Sequence, residues 1–88
     1  MVDLMVYYLI VCRSLTYAQR TARALERAGI SSYIVRAPKS VSGEGCSHCV
    51  KIAERHLASA LTVLKREGLG PKRVFLQNVG GEYSEVEP

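Results

Sequence analysis

Met5-Val-Tyr-Tyr-Leu-Ile-Val-Cys12, followed at once by Arg13-Ser14 and then Leu15-Thr16-Tyr17-Ala18, is the stretch on which the fold turns. Eight continuous apolar residues of β-branched, aromatic and aliphatic type read as a central strand covered on both faces. Ser14 is placed to cap a helix, and Leu15, Ala18, Ala22 and Leu25 recur at helical spacing. Gly29 stands where a left-handed C-terminal residue belongs, so the pattern predicts a helix over 15–28. Its opposite side carries Arg20, Arg23 and Arg27, three and four apart, as one exposed ridge.

Downstream, 30–37 reads as a second strand ended by Pro38, whose missing N–H cannot continue a ladder. Residues 39–45 are a loop by composition, and 47–53 is a third strand in which Val50 and Ile52 alternate with Cys49 and Lys51. Leu57, Ala60, Leu61 and Leu64 mark a second helix over 55–67, and a fourth strand spans 73–79. The order βαββαβ implies an α+β, ferredoxin-like sandwich: a four-stranded sheet with both helices on one face. Strands one and three are expected side by side and parallel at its centre. A single domain over 1–79 and a flexible acidic tail over 80–88 follow. The bare sheet face, with Tyr7 or Tyr8 and Tyr33, predicts a homodimer through that open face.

Eighty-eight residues suffice for one core and not for two. The apolar run is too short to span a bilayer, and Asp3 with no basic residue precedes it, so a cytoplasmic protein without a membrane segment is expected. Three cysteines make an odd number, which favours reduced thiols over a disulfide framework. Net charge is +4, but Glu82, Glu85 and Glu87 lie in the tail; the remaining twelve basic and five acidic residues leave a body of +7, suited to anionic partners.

Gly45-Cys46-Ser47-His48-Cys49 is the constellation with the ingredients of covalent chemistry. Cys46 stands where a glycine-containing loop enters a central strand, a setting in which backbone N–H groups can favour a thiolate. His48, two residues on, shares its side of the sheet, and Lys39 or Lys51 adds positive potential. Cys49 is three residues away: in a regular strand the two Cα atoms are about 10 Å apart, beyond the roughly 7 Å limit for a disulfide, so pairing requires a bulge. Zinc is disfavoured, because Cys46, Cys49, His48 and His56 lack a second paired knuckle; no metal or other cofactor is expected. Parallel central strands would put Cys12 at the far end of the sheet from this motif, roughly 15 to 20 Å away.

Tyr8-Leu9-Ile10-Val11, Ser14-Leu15-Thr16-Tyr17-Ala18, Ala37-Pro38-Lys39 with its Ser/Gly loop, and Gly45-Cys46-Ser47-His48-Cys49-Val50-Lys51-Ile52 together resemble the selenium/sulfur carrier-like family of small domains. The resemblance covers roughly 7–77. It implies a carrier or transfer protein holding sulfur or selenium on a loop cysteine, here Cys46, as persulfide or selenosulfide, and a sulfur or selenium donor protein as partner. Gly43-Glu44-Gly45 departs from the serine run usual in the family, and Cys49 stands where a small apolar residue is common.

The chemistry fits the residues. Ser42, Gly43, Gly45 and Ser47 would line the cargo loop, with hydroxyls and amides to bond a terminal persulfide anion, while Arg20, Arg23 and Arg27 would dock an acidic donor. Cys46, Cys49 and His48 form the reactive set, with Cys49 as acceptor or resolving thiol. The alternative is a non-catalytic interaction domain whose open sheet binds a partner. RNA binding is disfavoured because the third strand carries no aromatic residue on which a base could stack.

Overall fold

The computed structural model describes residues 6–38, 48–71 and 73–87. Within them run β1 (Tyr7–Cys12), α1 (Leu15–Arg27), β2 (Tyr33–Arg36), β3 (His48–Ala53), a 3-10 turn (Glu54–His56), α2 (Leu57–Arg66), β4 (Val74–Gln77) and β5 (Tyr83–Val86). Local chemistry sets the helix ends. The Ser14 hydroxyl accepts from the Tyr17 N–H at 3.2 Å, supplying one of the donors a helix start leaves unpaired. At the other end Gly29 adopts φ 81°, and the Gly29 and Ile30 N–H groups donate to the Glu26 and Leu25 carbonyls, both at 2.9 Å. This closure needs a left-handed residue, and it folds buried Ile30 back against Leu25.

The strands form one antiparallel sheet in the order β2-β3-β1-β4-β5, so the fold is mixed α+β with two helices and five strands among the described residues. Two expectations are corrected here. First, β1 and β3 are neighbours but antiparallel, paired from Tyr7↔Ala53 to Cys12↔His48. The reason is topological: the α1 crossover returns β2 parallel to β1 with one strand's space between them, and β3, running back from β2, fills that space antiparallel to both. Second, the sheet has five strands, not four, because residues 83–86 of the expected flexible tail pair with β4, Val74↔Val86 through Gln77↔Tyr83. Asn78 builds the intervening turn. Its Oδ1 accepts from the Gly80 and Glu82 N–H groups at 2.9 and 3.1 Å, and Gly81 takes φ 85°.

The core lies between the sheet and the helices. Ile10, Cys12, Val50, Ile52 and Val74 meet Ala18, Ala24 and Leu25 of α1 and Ala60 and Leu64 of α2. The buried stripe of α1 is rotated from the one expected: Thr21 faces inward, while Leu15 is 45 % exposed. On the other face Leu9, Cys49 and Phe75 are buried, together with Ala37. Tyr7 and Tyr33 belong to that face by register, whereas Tyr8 packs on the helix side.

Tyr83 and Val86 pack against the two sides of the sheet. Removing residues 80–88 should therefore lower the unfolding free energy by roughly 1–3 kcal/mol through uncovering β4. A urea midpoint unchanged by the truncation would show that β5 contributes nothing to the fold.

Candidate functional site

Of the reactive set, Cys46 lies outside the described residues, as do Ser42, Gly43, Gly45, Ser47 and Lys39. His48 and Cys49 open β3, and Arg20, Arg23 and Arg27 lie exposed on α1. The antiparallel register settles what surrounds the start of β3. His48 stands between Cys12 of β1 and Arg36 of β2 in one cross-strand row on the helix side. Cys49 stands between Val11 and Val35 in the next row, on the opposite side.

Cys12 is thus beside the motif, not at the far end of the sheet, and this corrects the separation expected from parallel strands. The direction of β3 is set by the crossover and the return strand together, which no local pattern in the sequence carries. It is a thiol held in the core, 2 % exposed, with its Sγ 3.6 Å from the Ile10 carbonyl and 3.9 Å from the Thr21 hydroxyl. Burial pushes its pKa up, and the Thr21 contact offsets part of that rise.

Cys49 has no exposed surface. Burial first, and the nearby Cys12 second, push its thiol up to about 11. In the folded strand it is a packing residue among Leu9, Ala37 and Phe75. It can take part in thiol exchange only if the sheet opens around it.

His48 has a different character. Its Nδ1 is buried and has no hydrogen-bond partner among the described residues. Lys51 lies on the other side of the sheet, its Nζ 4.2 Å from the centre of the Tyr7 ring, so it does not face His48.

A cavity of about 240 Å³ adjoins Cys12, lined by Arg13, Tyr17, Pro71 and Arg73 among others. The Arg13 guanidinium sits 5.1 Å from the Tyr17 ring centre. Arg73 reaches this end of the sheet because its carbonyl accepts from the Val11 N–H at 3.1 Å, and its guanidinium clasps Glu85 through two bonds of 3.1 Å. Arg13 and Arg36 place positive charge at this end of the sheet, while the charge of Arg73 is balanced by Glu85. Along α1, the arginine ridge borders a second groove of about 500 Å³, where Arg27 approaches Glu67 at 3.6 Å.

The thiol environments have two measurable consequences. At pH 8 an alkylating reagent should modify Cys49 roughly a hundredfold more slowly than an ordinary thiol, the effect of a two-unit rise in pKa. Its folded value lies above the ordinary 9.0, so the stability gained by keeping it neutral is fully present below pH 9 and is lost as pH rises through about 11. Fast labelling of Cys49 in the native protein, or alkaline stability unaltered by Cys49→Ala, would contradict the buried placement.

No helix among the described residues is long and apolar enough to cross a membrane. Searches of curated proteins and of solved structures return no match. One family model does match, over residues 7–76, from the start of β1 into β4, and takes in both the cysteine motif and the helix bearing the arginine ridge. By that match the chain belongs to the family described as "Putative Se/S carrier protein-like".

Proposed function

We propose that this protein carries a sulfur or selenium atom on Cys46, as a persulfide or selenosulfide, on a ferredoxin-like scaffold extended by a fifth strand. The observation that carries the reading is the state of the other two thiols. Cys12 and Cys49 are packed into opposite sides of the sheet with raised pKa values, so neither is suited to hold an exposed cargo atom, and this reading assigns that role to Cys46. The family description supports the cargo.

Loading requires no oxidant. The Cys46 thiolate attacks the outer sulfur of a donor persulfide; a new S–S bond forms on Cys46, the donor's S–S bond breaks, and the donor leaves as its thiolate. A thiolate and a persulfide anion are both negative, so a cationic surrounding stabilises the attacking and the loaded sulfur alike. His48, two residues after Cys46, lies in register with Cys12 and Arg36. Ser42, Gly43, Gly45 and Ser47 make up the cargo loop in this reading, and the Arg20, Arg23 and Arg27 ridge receives an acidic surface of the donor.

A second reading, a non-catalytic interaction domain, is favoured by the same exposed ridge and its groove. One set of variants separates the two. After incubation with a cysteine desulfurase and cysteine, the intact-mass spectrum should show added sulfur, lost in Cys46→Ala and kept in Cys12→Ala and Cys49→Ala. Arg20→Glu with Arg27→Glu should slow loading about tenfold or more at low salt, with less effect at high salt. Absence of any adduct with several donors, while partner binding survives Cys46→Ala, would replace the carrier with the interaction domain.

A further inference from the structure

The two borders of the sheet differ in chemistry. Along β5 the border is charged: the Arg73–Glu85 pair spans β4 and β5, both side chains about half exposed, and Glu82 and Glu87 flank the strand. Charged edge strands resist pairing with another chain. Among the described residues the β2 strand carries a single charge, that of Arg36. Ser32-Tyr33-Ile34-Val35-Arg36 contains no proline, glycine or acidic residue, Tyr33 is 65 % exposed, and Ile34 is 38 % exposed. Beside it, between β2 and α1, runs an open groove of about 730 Å³ bordered by Ala22, Arg23, Glu26, Ile30, Tyr33 and Ile34.

The residues along this border are complementary to themselves. Suppose two copies of β2 meet antiparallel about a two-fold axis at Ile34. Ile34 then faces the partner's Ile34 on the helix side, and Tyr33 faces the partner's Val35 on the open side, an aromatic against a β-branched residue. A shift of one residue would put side chains from opposite faces together, and a shift of two toward Arg36 would set Ile34 against an arginine. The same axis brings the two α1 helices together on one side of the joined sheet. Arg23 and Glu26, opposite charges on the same groove wall, offer both halves of an ion pair to a second copy of that wall.

We propose that β2 is a homodimer interface, with a second copy of this chain continuing the sheet across Ile34 and filling the groove beside α1. This border differs from the open sheet face, whose central residues Leu9, Cys49 and Phe75 are already buried within one chain. The interface does not draw on Cys46, so it stands or falls separately from the cargo chemistry.

Ile34→Cys provides the sharpest test, because directly opposed antiparallel residues have Cα atoms about 4.5 to 5.5 Å apart, within disulfide range. In a Cys46→Ser background, the full-length variant treated with oxidised glutathione should form a disulfide-linked dimer. Tyr33→Cys, which faces the partner's Val35, should not. Sedimentation equilibrium of the unmodified chain should give twice the monomer mass, and Ile34→Lys should weaken the dimer at least about tenfold while preserving the circular dichroism spectrum. The proposal is overturned by a monomer throughout the accessible concentration range, by a dimer indifferent to Ile34→Lys, or by equal cross-linking of the two cysteine variants.

Discussion

The pairing of β1 with β3 is the constraint on which the other features depend. It sets Ile10 opposite Val50 and Tyr8 opposite Ile52 on the helix side, giving α1 and α2 one apolar surface to cover. On the far side it sets Leu9 opposite Lys51 and Val11 opposite Cys49. Because side chains alternate along a strand, a slip of one residue would send every core residue on these two strands to the wrong face. The same register fixes which chemical groups gather at the start of β3: Cys12 at His48, with Arg36 on the other side.

Much of this architecture was legible in the residues themselves. The apolar run of β1, the Ser14 cap and the glycine after each helix located the elements to within a few positions, because each is a local rule of backbone hydrogen bonding. Strand direction was not local. It follows from two crossovers taken together, and assigning β1 and β3 as parallel displaced Cys12 by the length of the sheet. The fifth strand had a local signal that was read the wrong way: Asn78 followed by Gly80-Gly81 and Tyr83-Ser84-Glu85-Val86 is a turn joined to an alternating strand, masked by its acidic residues.

The cysteines show where pattern and environment part. Spacing alone marks Cys46 and Cys49 as a candidate pair but says nothing of what surrounds Cys49. Cys49 fills space among apolar side chains, where a charged sulfur would lose its hydration without gaining a partner. Cys12, far away in sequence, occupies the adjoining row on the other side of the sheet and contributes to the rise in the Cys49 pKa. The burial of the His48 Nδ1 likewise depends on what the tertiary fold places around the ring, which no spacing rule encodes.

The clasp between Arg73 and Glu85 bears on assembly as well as on stability. A sheet with two receptive margins can grow without limit into a fibre, whereas one whose far margin is studded with ions offers further chains no foothold. In a dimer joined along β2, the acidic β5 of each copy would lie outermost, where its charges oppose the addition of a third chain.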